Sequence, residues 1–274
     1  SQQSASSSGA AGNSAGETLT VYSNGKTISG NALDIISRIV QNEMGPSFHE
    51  EALKAQALAA YSYVHFHNRT GKTPSVYISP SADSRVIAAV SEVINQAIYY
   101  DGKTAFTPYY ATSAGATATS KDVWGGAYPY LVSVDSSVDK NQAGYKYTLE
   151  RSKEDVENRI YSKLGITVSG NPANWIEVLS IDDGGYNGKM AICGQTKSKS
   201  GATLTGPGLR EFVFNIRSAC FTVDYNAATE TFTFTTYGHG HGVGLSQNGA
   251  QAYAKQGWSY SEILGHYYPG TNIG

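Results

Sequence analysis

The chain has 274 residues, enough for one large domain or two modest ones, with a buried core in either case. Apolar residues make up 40% and charged residues 15%, and 20 basic against 22 acidic side chains leave a net charge of −2. That balance supplies no basic field for nucleic acid, and no run approaches the ~20 apolar residues of a membrane span.

Residues 1–17, "SQQSASSSGAAGNSAGE", carry no charge before Glu17 and read as a flexible Ser/Gly-rich linker, with residues 18–274 as one folded domain. The absence of a leading Met predicts an exported chain whose targeting segment has been removed. A strand follows in "TLTVYSNGKTI", turned at Asn24-Gly25. Leu33, Ile36 and Val40 then share one face of a first helix, which Gly45-Pro46 ends. Leu53, Ala57, Ala60 and Val64 mark a second helix in 49–69, and Asp83 caps a third over 83–97.

"IYYDGKTAFTPYY" reads as a hairpin around Asp101-Gly102, and 152–165 as a short helix with early acids. From 174 to 237 the pattern is β-like, in "WIEVLSI", "KMAICG", "CFTVDY" and "TFTFTTY", interrupted by a short helix in "LTGPGLREFVFN". Two helices, 245–256 and 259–266, close the chain. Segregated helices and hairpins without βαβ alternation predict an α+β fold: helices around the Glu43 junction packed with antiparallel hairpins, with a central cleft.

The 20 tyrosines suit polar grooves and sugar faces as well as wet-edged β cores. Cys193 and Cys220 stand without a CxxC pair, and a disulfide and two free thiols remain equally open. "GHGHG" places His239 and His241 where an extended chain could present both to a metal, but His49, His65, His67 and His266 supply no clustered third and fourth ligand. The same stretch lacks the GxGxxG and P-loop patterns of phosphate sites, and "VGLSQNG" lacks the GxSxG elbow of a serine hydrolase.

Carboxylate chemistry is left. Glu43 falls in the last turn of the first helix, where the dipole disfavours negative charge, a condition suited to a general acid. Asp182-Asp183 read as a solvated hairpin turn, and Glu50 and Glu51 as a solvated first helical turn.

Three segments, "NEMGPSFHEEALKAQALAAYSY", "YYATSAGATATSKDVWGGAYPYLVSVDS" and "GHGVGLSQNGAQAYAKQGWSYSEILGHYYPGT", together resemble the stage II sporulation protein D family, which includes amidase enhancers of bacterial cell-wall turnover. The resemblance spans roughly residues 19–272. It implies a lytic transglycosylase of peptidoglycan glycan strands, preferably strands stripped of stem peptides, acting outside the cytoplasm as a secreted or membrane-tethered protein. The alternative it carries is a non-catalytic glycan-binding enhancer of an amidase. The partners implied are glycan strands, a cell-wall amidase and membrane-anchored proteins, with no nucleic acid and no cofactor.

The family's catalytic acid falls on Glu43. Gln56, Tyr110, Ser113, His241, Ser246 and Gln247 are the candidates for contacts to substrate, with His241 and Gln247 expected opposite Glu43 and the glycines bringing backbone close to the sugar. The sequence departs from the family pattern at Tyr61, where an Arg is common, and in the Gly45-Pro46 order after "EM". "SVYISPSADS" has no Cys or His where some members carry a zinc-binding segment, so no structural metal is expected.

Overall fold

Asn24 and Gly25 both adopt positive φ, 50° and 78°, which a two-residue hairpin turn matched to strand twist requires. In the computed structural model, which describes residues 16–274, they join β1 (Thr18–Ser23) to β2 (Lys26–Asn31), with Ser23 opposite Lys26. Leu19 and Val21 point into the core while Thr20 and Tyr22 face outward, the period of two expected of a half-buried strand. Apart from Gly16 and Glu17, the linker expected over 1–17 lies outside the described residues.

In chain order there follow α1 (Ala32–Glu43), α2 (Glu50–Arg69), α3 (Ser84–Val93), β3 (Ile98–Tyr100), β4 (Lys103–Thr104), β5 (Tyr109–Tyr110), α4 (Ser120–Trp124), β6 (Lys146–Ser152) and α5 (Lys153–Leu164). Then come β7 (Ile176–Val178), β8 (Met190–Ile192), a single α-turn α6 (Gly206–Gly208) continued by a π-helix over Leu209–Phe214, β9 (Phe221–Asn226) and β10 (Thr231–Tyr237). β11 (Leu245–Ser246), α7 (Gln247–Lys255), α8 (Tyr260–Tyr267) and β12 (Asn272–Ile273) complete the chain. This is the expected α+β class. The described residues gather into two compact units, 16–107 with 271–274 and 108–270.

In the first unit α2 is buried on most of its circumference, from Ala52 through Ser62 and at Val64, because α1, α3 and the hairpin all pack on it. The buried stripe of α1 runs through Ala32, Ile35, Ile36, Ile39 and Val40, leaving Leu33 at its margin rather than at its centre as the spacing suggested. Asp83 caps α3 by accepting from the amide of Arg85, as expected. A three-stranded sheet, ordered β12-β3-β4, draws its edge strand from the last residues of the chain.

The second unit is built on the antiparallel sheet β6-β10-β9, whose Phe232 and Phe234 bury against Val156 and Ile160 of α5, Trp175, Phe214 and Phe221. Ser152 caps α5 through the Asp155 amide and Gly165, at φ 68°, ends it. Leu209–Phe214 is a π-helix rather than the ordinary short helix its composition suggests. Tyr109 and Tyr110 pair in parallel with Leu245 and Ser246, which joins the middle and last of the three resembling segments.

Candidate functional site

Glu43 is the last residue of α1 and is partly exposed. The helix stops because Met44 leaves helical geometry and Gly45 turns left-handed at φ 73°, while the amides of both still reach the Val40 carbonyl. No basic side chain lies in that last turn to neutralise the helix dipole. The loop that follows is anchored to α3: Arg85 donates to the Pro46 carbonyl at 2.8 Å, and the Asp83 amide donates to Gln41 Oε1 at 2.9 Å.

Gln56 lies fully buried in α2. Two residues before it, Lys54 carries its ammonium among Glu50, Glu51 and Glu92 at 2.7, 3.1 and 2.6 Å. Burial disfavours that charge, yet the three carboxylates outweigh it and raise the pKa. Glu50 and Glu51, read as merely solvated, thus help to fix the first turns of α2. Tyr61 is buried too and donates to Glu17 at 2.6 Å, with His65 3.5 Å from the same carboxylate.

In the second unit Ser113 and Ser246 converge on a residue the sequence did not single out. Asp139 is fully buried, and its Oδ2 accepts from the Ser113 amide at 2.9 Å, the Ser136 hydroxyl at 2.9 Å and the Ser246 hydroxyl at 2.8 Å. The Ser136 hydroxyl also lies 2.6 Å from that of Tyr267. Burial pushes the Asp139 carboxyl above its ordinary value, with the serine donors pulling the other way. Ser246 in addition accepts from the Gly249 amide as the cap of α7. Both serines have no exposed surface, so their hydroxyls organise the unit.

His241 packs between Tyr110 and Trp124, with ring centroids at 5.3 and 5.1 Å. Its Nδ1 accepts from the Val243 amide at 3.1 Å, so Nε2 carries the proton and donates to the Tyr109 carbonyl at 3.0 Å. Burial and the Arg210 cation lower its pKa to about 4, against a small opposing pull from that carbonyl. His241 is therefore a neutral imidazole with both nitrogens engaged, a rigid wall rather than a proton carrier. Tyr110 is buried beside Tyr186, and burial raises its phenol well above the ordinary range. Gln247 is nearly buried at the first turn of α7.

Trp124, which the sequence did not single out, leaves 45% of its surface exposed while its ring rests against His241. The signal available was its place in "KDVWGGAYPY", a large aromatic among small and polar neighbours. His239, by contrast, is tied through its backbone to Thr112 at 2.7 and 3.0 Å. Gly238, Gly240, Gly242 and Gly244 all have positive φ, and a Cβ on any of them would run into Ser113, Tyr110, Tyr186 or Pro108 respectively. Their close approach is to this chain's own atoms.

Among the described residues no three His, Cys, Asp or Glu side chains gather as metal ligands. Cys193 and Cys220 are free thiols, and no described helix is long and apolar enough to cross a membrane.

A family model described as stage II sporulation protein matches residues 31–123, a span that holds Glu43, Gln56, Tyr110 and Ser113. The amidase enhancer of Bacillus subtilis (strain 168) is 29% identical over 282 residues, covering 86% of this chain, and the chain spans 39% of that relative's length. Stage II sporulation protein D of the same organism is 31% identical over 261 residues, covering 86% of this chain and 72% of that protein. Its counterpart in Bacillus amyloliquefaciens shows the same identity and coverage. With the helix-end Glu43 and the glycine loop set in this frame, the chain belongs to the stage II sporulation protein D family.

Proposed function

We propose that residues 18–274 act as a lytic transglycosylase on peptidoglycan, cleaving the bond between N-acetylmuramic acid and N-acetylglucosamine in strands free of stem peptides. The observation that carries this reading is the placement of Glu43. It is a partly exposed carboxyl at the end of α1, without a basic residue in its turn, held by a loop that Arg85 anchors, and inside the segment matched by the family model.

One carboxyl suffices for this reaction. Glu43 first donates its proton to the glycosidic oxygen as the bond to C1 breaks. Its carboxylate then accepts the proton of the muramic C6 hydroxyl while that oxygen closes on C1. The product ends in a 1,6-anhydro ring, and no water is consumed, so this reaction does not need the second acid of a hydrolytic glycosidase. Within the second unit, the exposed indole of Trp124, backed by the His241 ring, is proposed to meet a sugar face of the strand.

The setting proposed is the extracytoplasmic cell wall, in sporulation or wall remodelling, alongside an amidase that removes stem peptides and membrane-anchored partners. The similarity to a protein named amidase enhancer and the buried Tyr61 support a second reading, a glycan-binding protein that stimulates such an amidase without cleaving.

Mass spectrometry of the products from denuded strands separates the two. Cleavage by the wild type yields fragments one water lighter than hydrolysis products, and Glu43→Gln yields none. Intact strands after wild-type treatment overturn the enzyme reading, and reducing ends overturn its lytic chemistry.

A further inference from the structure

The second unit contains a cavity of about 230 Å³ that none of the site residues lines. It lies where the end of α5, the turn at 198–205 and the π-helix Leu209–Phe214 meet. Its floor is apolar, made by Leu164, Leu204 and Leu209, and Phe212 stands at its margin with 66% of its surface exposed. Lys163 and Ser200, both exposed, join Ser198, Thr203 and Thr205 as the polar part of the lining, in which Lys163 is the one charged side chain among the described residues.

An exposed phenyl ring beside an apolar hollow has no role in the core of the unit, and π-helical turns recur at functional sites. The volume is below the roughly 300–1,000 Å³ of pockets that enclose drug-sized ligands, so a single ring fits and a longer oligomer does not. The combination of an aromatic face, an apolar floor, a hydroxyl and an unopposed cation selects among such rings. A pyranose face stacks on the phenyl, an acetamido methyl takes the floor, and an anionic substituent meets the ammonium.

We infer that this cavity binds one N-acetylmuramic acid residue of a glycan strand through Phe212 and Lys163, as an anchoring subsite separate from Glu43. The inference rests on the reading of the substrate as peptidoglycan. N-acetylmuramic acid bears a lactyl carboxylate that is free only where the stem peptide has been removed, and N-acetylglucosamine has none. The cation therefore selects denuded strands, and the anchor holds them without taking part in bond cleavage.

The test uses the full chain and two monosaccharides, neither of which contains a bond to cleave. Amide NMR titration with N-acetylmuramic acid gives saturable shifts at Ser200, Gly208 and Phe212, and N-acetylglucosamine binds at least fivefold more weakly. Phe212→Ala and Lys163→Ala each weaken the muramic acid roughly tenfold, about 1.4 kcal/mol, while both surface variants keep the folded spectrum. Equal binding of the two sugars, or variants that bind as the wild type does, overturns the assignment. Anhydro products from denuded strands without shifts at the cavity overturn it alone. Cavity shifts without any cleavage support it and overturn the enzyme reading instead.

Discussion

Ser246 donates to Asp139 at 2.8 Å across 107 residues of sequence, and the same carboxylate oxygen takes the Ser113 amide. One buried acid thus ties the glycine loop and the cap of α7 to the middle segment of the second unit. Removing the acceptor strands two hydroxyls and an amide in a dry interior. Asp139→Ala is expected to lower stability by about 2–4 kcal/mol, read by urea unfolding.

The same residue sets a pH dependence. Its folded pKa is raised above the ordinary 3.8, so it contributes stability below that value and loses it as pH rises through the folded pKa. Asp139→Asn, which keeps an acceptor but cannot ionise, is expected to compare least well with the wild type near pH 4 and to gain on it toward pH 7. Parallel stability curves for the two proteins would contradict the buried, reluctant charge.

His241 acts in the opposite sense. Its pKa is depressed to about 4, so its contribution is complete above about 6.5 and is lost as pH falls toward 4, by up to about 3 kcal/mol. Nitrogen chemical shifts are expected to report the neutral Nε2-protonated ring from pH 8 down to pH 5. A midpoint near 6.5 would mean that the ring is solvated.

Gly244 separates backbone strain from collision. Its φ is 81°, and a Cβ there would overlap the Pro108 carbonyl, whereas Gly257, at φ 95°, has open space. Gly257→Ala is expected to cost about 1 kcal/mol and Gly244→Ala more than about 3 kcal/mol, measured by thermal unfolding. Equal losses would show that the loop can shift.

Glu43→Gln changes one atom type at a partly exposed helix end, so its melting temperature is expected to stay within about 2 °C of the wild type. Under the proposed chemistry its turnover of denuded strands falls by at least about 10³-fold. Residual activity above a tenth of wild type would move the acid elsewhere.

Features set by neighbouring residues were legible in advance: the Asn24-Gly25 turn, the Asp83 cap, the short helix starting near residue 152, and the end of α1 before Gly45-Pro46. β6 was not, because "KYTLERS" is largely exposed and depends on β10, some 85 residues later, for its pairing. The five-residue α4 is too short for a period to declare itself. A π-turn shares its composition with an ordinary helix, which hid the geometry at 209–214. Asp139 sits in "SSVDKN", whose composition is that of a wet turn; besides the nearby Ser136, it is held by Ser113 and Ser246, 26 and 107 residues away, a relation no local window contains. The role of the glycines was half visible: their need for unusual backbone angles followed from their type, but what they approach did not.

Because β12 supplies the edge of the sheet that β3 and β4 begin, residues 108–270 are an insertion in the chain of the first unit. During synthesis that sheet stays unfinished until the whole insert has been made, so its edge stands open while the second unit folds. The contiguous insert can be produced as a single fragment. The first unit cannot be cut free at residue 107 without losing a strand.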